Sequence, residues 1–306
     1  MLNSIPELQN SKLQIERLAA QRFIYSSAKR AQSFQLILTI PLTIALSLLS
    51  LLFPLIAPWQ AIYGLVVVLL ENVLEAYQRN LRQQAAKIQE LFDCEVLTLP
   101  WNELEIGIKP DVELVIESFH NFVQKGGKLD KLSNWYPSIV GKVPLHLARL
   151  ICQRTSLRWD YQLRRWFGKR ALILSLTVVA ILFAISLWNQ LSLESFILSA
   201  LIPALPVFSW GLREFQKQNE VAVELERLKS HVEEFWEASI TSRISIRQIE
   251  TKSRALQDEI YDLRRDNPLI FDSVYNYFRF RYEFIATKGA EEYVKEALVF
   301  LDASFH

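Results

Sequence analysis

A basic and aromatic stretch, RTSLRWDYQLRRWFGKR at residues 154–170, holds six cationic residues, one acid and four aromatic residues. Arginine forks match phosphate oxygens and aromatic rings stack on bases, so this composition favours an anionic ligand that contains a base. The same stretch is followed by 23 residues without one charge, at 171–193. Cations also flank the cytosolic ends of membrane helices, so two explanations compete for this stretch.

Distance along the chain separates the two explanations. Lys169 and Arg170 adjoin the uncharged segment and are explained by membrane topology alone. Arg154 and Arg158 lie 12–16 residues upstream, which is about 18–24 Å along a helix and too far for an upright helix to reach lipid headgroups. For these two arginines, a salt bridge to Asp160 or to the acidic C-terminal helices stays open beside a phosphate-bearing ligand.

A second cationic and aromatic stretch, at residues 254–284, lies near the C-terminus. Its pattern predicts a helix that stops at Asn267 and Pro268, followed by a helix rich in aromatic and basic residues. We hypothesise that both stretches contribute to one pocket for an anionic ligand. Its candidate residues are Arg154, Arg158, Trp159, Arg264, Arg265, Arg279 and Arg281.

Two long uncharged regions predict membrane-spanning helices. No Asp, Glu, Lys or Arg occurs from Ala31 to Leu70, and one spanning helix needs only about 20 residues. Pro54 and Pro58 divide this region into two, and Glu194 divides the second region in the same way. The fold class that we predict is a mainly α-helical membrane protein with four transmembrane helices in two hairpins, at 34–55, 58–77, 171–189 and 194–212.

Cations flank only one end of each predicted hairpin. Lys29 and Arg30 precede the first hairpin, and the connecting turns near 56–59 and 190–194 carry no Lys or Arg. The positive-inside rule therefore places both termini and the middle segment in the cytoplasm. The predicted divisions are an amphipathic cytosolic helix at 1–30, hairpin one at 34–77, a middle cytosolic segment at 78–170, hairpin two at 171–212 and a helical cytosolic region at 213–306.

Local signals in the cytosolic segments predict mostly helices. A helix is expected after Asp111, which can cap it, with a stop at Gly126. The stretch LFDCEVLTLPWNELEIGIKP, at 91–110, is ambiguous and could hold one or two short strands. Apolar residues from Val221 to Phe235 follow a coiled-coil spacing, for which packing within the chain and oligomerisation are equally acceptable.

Composition and motifs disfavour several functions. The formal charge is +1, which indicates no DNA or RNA partner. Cys94 and Cys152 stand alone without metal-ligand spacing, and the usual signatures of nucleotide-hydrolysing, serine-hydrolase and zinc enzymes do not occur. We therefore expect no enzyme activity, no catalytic or metal-binding residue and no cofactor.

One carboxylate falls within the second predicted span. Glu71 lies 12 residues after Trp59, about 18 Å into a hydrocarbon core that is about 30 Å thick. A charge at this depth is costly to insert, so it favours the bundle interior or water over lipid. We hypothesise that Glu71, with Asn72 and Glu75, lines a conduction path. The alternative is that Glu71 reaches the interface from a shorter, tilted span.

The order of several stretches around the two hairpins resembles a known family. QNSKLQIERLAAQRFIYSSAK precedes the first span, LFDCEVLTLPW and NWYP lie in the middle segment, CQRTSLRWDYQLRRWF precedes the third span, and LQDEIYDLRRDNP with YNYFRFRYE lies near the end. Together they resemble the SMODS-associated four-transmembrane effectors of bacterial CBASS anti-phage systems, over residues 9–284.

This resemblance implies a function that the residues alone do not reach. It implies that a partner nucleotidyltransferase makes a cyclic oligonucleotide, which the effector binds on the cytosolic side of the bacterial inner membrane. The effector then permeabilises the lipid bilayer as a pore. Because four mostly apolar spans cannot line an aqueous path alone, we expect a homo-oligomer. The alternatives are a small membrane transporter and a non-conducting, membrane-anchored sensor or scaffold.

Overall fold

The chain is mainly helical in a computed structural model that describes residues 2–42, 44–46, 49, 53, 55, 57–188, 197, 202–241 and 243–303. No strand occurs in this part of the chain. The mainly helical class expected from the sequence is therefore confirmed. The second predicted outer turn, at 190–194, lies outside the described residues.

Three long helices dominate the described structure: α3 (Ala57–Val96), α6 (Leu145–Trp188) and α7 (Ile202–Ile240). The remaining α-helices are α1 (Ile5–Leu8), α2 (Lys12–Ile37), α4 (Glu103–Ile106), α5 (Val112–Gln124), α8 (Ile246–Asp266) and α9 (Asp272–Ala303). A π-helical turn at Leu38–Leu42 follows α2, and short 3-10 helices lie at Asp130–Leu132 and Ser138–Lys142.

Local sequence signals set several helix ends. The Asp111 carboxylate accepts a hydrogen bond from the backbone N–H of Glu113 at 3.1 Å, so the expected cap of α5 is confirmed. Just beyond the end of α5, Gly126 takes a φ of +75°, a conformation that glycine adopts at little cost. The α8 helix ends at Asp266, immediately before the expected stop at Asn267 and Pro268.

The ambiguous stretch at 91–110 contains no strand. Helix α3 continues through Val96, and the chain then turns through Thr98, which has a φ of +56°. Phe92 and Val96 lie one helical turn apart and are both fully buried in the largest core cluster. Burial of this face outweighs the local preference of β-branched and aromatic residues for strands.

The largest hydrophobic core lies at the predicted cytosolic ends of the long helices. It joins the end of α3, the start of α6, the second half of α7, and parts of α8 and α9. Leu225, Leu228 and Val232 of the expected coiled-coil seam are all buried in this cluster. The apolar spacing on α7 is therefore used for packing within the chain.

In the described residues, the predicted membrane segments are helices with exposed apolar side chains. Within the described residues, one helix segment, Leu145–Ile185, is long and apolar enough to cross a membrane, and only 18% of its apolar window is buried. A core helix of a soluble protein would bury most of that window, so the low burial is in keeping with the predicted span. Residues 58–77 are helical throughout in α3. Because 34–55 and 194–212 extend beyond the described residues, the four-span arrangement stays a prediction.

Helices α6 and α7 approach closely where the apolar segment begins. A Cβ atom placed on Gly211 of α7 would overlap the Ser175 side chain of α6 and lie 3.0 Å from the Ala171 carbonyl oxygen. Small residues allow this close backbone approach, as they do between many membrane helices.

Candidate ligand cleft and membrane-segment carboxylates

A shallow cleft lies between the part of α6 that precedes its apolar segment and the middle of α9. Its lining residues recur every three or four positions on both helices, so one face of each helix forms each wall. The enclosed part of the cleft is small, about 20 Å³, and the rest of it is open to solvent. None of the described residues that line it is acidic, and two are arginines. The lining consists of Arg154, Thr155, Arg158, Trp159, Gln162, Tyr282, Ile285, Ala286 and Gly289.

Arg154 lies at one end of the cleft and is held by α7. Its Nη2 donates to Oε1 of Glu233 at 2.8 Å, and its guanidinium lies 4.3 Å from the ring centre of Tyr293. Burial raises the pKa of Glu233, but hydrogen bonds from Arg154 and the charge of Lys229 outweigh it and leave that pKa below its ordinary value. The salt bridge that the sequence left open is therefore present, although its acid comes from α7.

Arg158 lies one turn further along α6 and faces the same cleft. Its Nε is buried, and no described residue accepts a hydrogen bond from it. Buried donors are almost always paired, so this one leaves Arg158 with unused hydrogen-bonding capacity in the wall of the cleft. Arg158 is thus the cation in the cleft that is best placed to bind an anion.

Trp159 is fixed in an aromatic cluster beside the arginines. Its ring centre lies 5.6 Å from that of Tyr275 and 5.5 Å from that of Tyr282, both on α9. Burial raises the pKa of Tyr282, while the charge of Arg281 opposes this effect, so the phenol stays protonated at neutral pH. The cleft therefore combines cations with aromatic surface.

Arg264 and Arg265 of α8 do not line this cleft. Arg264 is bonded to the fully buried Asp93 on α3, and its Nη1 lies 4.0 Å from Glu90. Burial and the nearby Asp93 raise the pKa of Glu90, whereas Arg264 lowers it. Arg265 lies nearer the surface and pairs with Asp262 at 2.9 Å. Both arginines are already engaged by acids of the chain.

Arg279 and Arg281 are on α9, as expected, but point away from the cleft. Arg279 donates to the Lys131 carbonyl oxygen at 2.6 Å and pairs with Glu283. Arg281 is exposed on the outer side of the helix. Of the seven residues predicted for the pocket, the structure thus brings Arg154, Arg158 and Trp159 together in one cleft.

Sequence reasoning missed several residues that shape the cleft. Glu233 and Tyr293 hold Arg154 from α7 and α9, and no local pattern marks either of them. Gly289 leaves an opening in the α9 wall, since no atom lies within 4 Å of where its Cβ would be. Tyr282 falls within the aromatic stretch YNYFRFRYE, whose composition was the signal that could have singled it out.

The carboxylates in the predicted second span occupy two environments. Oε1 of Glu71 accepts a hydrogen bond from the Thr39 hydroxyl at 2.6 Å, which joins α3 to the π-helical turn after α2. Glu75 is exposed and lies 4.0 Å from Arg79. Asn72 is exposed on α3 next to Glu71. Glu71 therefore faces another predicted span of the same chain, as a costly charge in a membrane would.

The part of the chain that the structure describes is mainly helical and includes one helix segment that is long and apolar enough to cross a membrane. Residues 3–293 match the family described as the SMODS-associating 4TM effector domain, so the chain belongs to that family. A similar protein of Bacillus cereus (strain VD146), described as a probable CBASS effector molecule, is 25% identical over 269 residues. The match covers 85% of this chain and 87% of that protein. No solved structure matches the chain.

Proposed function

We propose that this protein is a CBASS effector that binds a cyclic oligonucleotide in the α6–α9 cleft and permeabilises the inner membrane as a homo-oligomeric pore. Membership of the effector family supports the anti-phage role. One observation supports a site for an anionic ligand. The Nε of Arg158 has no partner, and the cleft has two arginines and no acidic lining among the described residues.

The cleft suits a nucleotide in both of its chemical parts. A phosphodiester is an anion whose oxygens accept from guanidinium groups, and Arg158 supplies a free donor. The rings of Trp159 and Tyr282 lie beside it, and aromatic faces stack bases with little dependence on sequence. A phosphate that also contacts Arg154 would compete with Glu233, which links the ligand to α7.

Helix α6 gives the cleft a direct route to the membrane segment. It is continuous from Leu145 to Trp188, so Arg158 and the apolar residues after Arg170 share one rigid element. In addition, α7 packs closely on α6 at Gly211. A change in the Arg154–Glu233 contact would therefore act on both helices of the second predicted hairpin.

Binding is tested by calorimetry of the purified protein with a panel of cyclic dinucleotides and cyclic trinucleotides. A charge-assisted hydrogen bond contributes about 1.5–3 kcal/mol, so Arg158→Ala should weaken binding by about tenfold to a hundredfold. Arg247→Ala, at an exposed arginine of α8, is the matched control and should bind like the parent. Equal affinity of Arg158→Ala and the parent would remove the cleft as the binding site.

A second variant blocks the cleft without removing a charge. Gly289→Leu places a side chain where no neighbour lies within 4 Å, and leucine favours the helix more than glycine does. We expect this variant to fold with unchanged or higher thermal stability and to lose nucleotide binding. Retained binding in a stable Gly289→Leu protein would also exclude the cleft.

Pore formation is tested by ion flux through liposomes that contain the purified protein. Nucleotide-dependent flux is expected for the parent and for Arg247→Ala, and no flux for Gly289→Leu. A transporter would instead give saturable uptake of one solute, and a scaffold would bind nucleotide without flux. Saturable uptake would favour a transporter over a pore, and nucleotide binding without flux would favour a scaffold.

A further inference from the structure

Helix α9 presents an aromatic and basic surface to the outside. Tyr277, Phe280 and Phe284 lie on one side of the helix with Arg281, and Phe280 is 85% exposed. The opposite side of the same helix is buried against α6 through Phe278 and Tyr282. Aromatic residues and arginine are the types most enriched where proteins bind each other. We call these four residues the aromatic face.

Helix α5 presents an apolar and acidic surface. Val112, Ile116 and Val123 share one exposed side of the helix, where Ile116 is 60% exposed. Glu113 and Glu117 are exposed beside them, so this surface carries negative charge. We call these five residues the acidic face. It complements the aromatic face in charge, and both contain large apolar side chains.

The two faces flank one turn of α2. Lys125, at the end of α5, lies 4.9 Å from the ring centre of Phe23. Arg22 lies 5.1 Å from the ring centre of Tyr275, in the first turn of α9. Because Arg22 and Phe23 are neighbours, the end of α5 and the start of α9 are at the same level along α2. Rotation of copies about an axis parallel to the predicted spans would keep these two helix ends at one level.

The direction of α9 favours a neighbouring protein over the lipid surface. Phe271 contacts Phe167 at 5.9 Å between ring centres, Tyr282 contacts Trp159 at 5.5 Å, and Tyr293 contacts Arg154 at 4.3 Å. Helix α9 thus runs beside α6 in the opposite direction, away from the apolar segment. Its outer side points laterally, so a residue such as Phe280 faces the space next to the protomer.

We propose that the aromatic face of one copy docks on the acidic face of the next, in a head-to-tail ring of identical chains. A heterologous contact of this kind closes into a ring when its rotation divides a full turn. The inference deepens the proposed pore and rests on it for the requirement of several copies. The contact itself is measurable without conduction.

Cross-linking between differently tagged chains tests the contact. One chain carries Ile116→Cys and the other carries Phe280→Cys, and the two are coexpressed and oxidised in membranes with and without a cyclic dinucleotide. Each variant carries one accessible cysteine, because the native Cys94 and Cys152 are buried, so that cysteine can link only to another chain. We expect a product that carries both tags. Val223→Cys, at an exposed position of α7, replaces Phe280→Cys in the control and should give background yield.

Three outcomes would overturn the proposal. Links between two Phe280→Cys chains would indicate a symmetric contact between aromatic faces. A yield no higher than the Val223→Cys control, in both conditions, would show that the faces do not meet. Reaction of Phe280→Cys with a lipid-soluble but not a water-soluble maleimide would assign the aromatic face to the membrane.

Charge reversal adds a test that a folding defect cannot imitate. Glu117→Lys and Arg281→Glu, each introduced alone, should lower the cross-link yield by about twofold to fivefold, the range of an exposed ion pair. Their combination in one chain should restore it. A cross-link without ion flux would support the contact between copies and contradict the pore. Ion flux without a cross-link would support the pore and contradict this contact.

Discussion

Two arginines from similar basic and aromatic stretches have different surroundings in the fold. Arg158 lies in an open cleft, and its buried Nε meets no acceptor among the described residues. Arg264 lies in the core, bonded to Asp93, whose carboxylate also accepts from the Tyr136 hydroxyl at 2.6 Å. Loss of Arg158 would therefore remove a contact for the proposed ligand, whereas loss of Arg264 leaves buried carboxylates with less compensating charge.

Arg264→Ala should destabilise the fold by about 3–5 kcal/mol, the usual effect of removing one partner of a buried ion pair. Chemical denaturation in detergent measures this change. The neighbouring Arg265→Ala is the control and should change stability by less than about 1 kcal/mol, since Arg265 pairs near the surface. Similar stability of the two variants would contradict a structural role for Arg264.

The pH dependence of Arg264→Ala separates lost charge from lost packing. Burial and Asp93 already raise the pKa of Glu90, and removal of Arg264 should raise it further. An acid with a raised pKa in the folded state favours folding as the pH falls through that pKa. The defect should therefore shrink as the pH is lowered from neutral, and a constant defect would indicate lost packing.

Sequence alone identifies such cations but not the acidic residues that form ion pairs with them. Asp93 and Arg264 are 171 positions apart, and Arg154 and Glu233 are 79 positions apart. Three of the candidates chosen by composition, Arg154, Arg158 and Trp159, line one cleft, because residues about one helical turn apart share a helix face. Which cations stay available depends on tertiary packing, which no local pattern contains.

Glu71→Gln should change ion selectivity while nucleotide binding and assembly are kept. A carboxylate that recurs around a ring of subunits favours cations, and an amide of the same shape removes that charge. The Thr39 hydroxyl, which donates to Glu71, can donate to the amide oxygen as well, so the fold should tolerate the change. Reversal potentials in planar bilayers measure it, and an unchanged preference for cations would remove Glu71 from the conduction path.

At the scale of helices, capping signals were more informative than residue preference. Asp111 and Gly126 bounded α5 correctly because they act through local hydrogen bonding and backbone conformation. The secondary structure of the stretch at 91–110 was ambiguous from sequence, because its apolar residues suit a strand as well as a buried helix. Phe92 belongs to a helix because α3 packs into the core, a contact that only the folded chain makes.

Gly211→Ala should weaken the packing of α6 against α7. The added methyl group would overlap the Ser175 side chain and crowd the Ala171 carbonyl oxygen, so the helices must separate. Overpacking of this kind costs about 1–3 kcal/mol, which thermal unfolding in detergent can detect. Gly64→Ala on α3 is the matched control, since no atom lies within 4 Å of its new Cβ. An equal effect of both changes would indicate that helix propensity, and not the close approach, is responsible.

At the scale of the whole molecule, the predicted topology makes one-sided labelling the expected result. A cysteine at Glu105 or Lys252 should not react with a membrane-impermeant maleimide in intact spheroplasts, because both positions lie in predicted cytosolic segments. Trp59→Cys, at the predicted outer turn, should react and serves as the positive control. Strong labelling at position 105 or 252 would overturn the positive-inside assignment.

The three long helices run without interruption between the core and the predicted membrane segments. In the described residues, the large core and the predicted membrane segments share α3, α6 and α7, and no linker interrupts these helices. A graft of this cleft onto another membrane domain would have to join helices in phase. Each added residue turns everything beyond the junction by about 100°. Such effectors would then diversify by substitution on a fixed scaffold, because insertions and exchanged modules in these helices would lose the angular register between ligand and membrane.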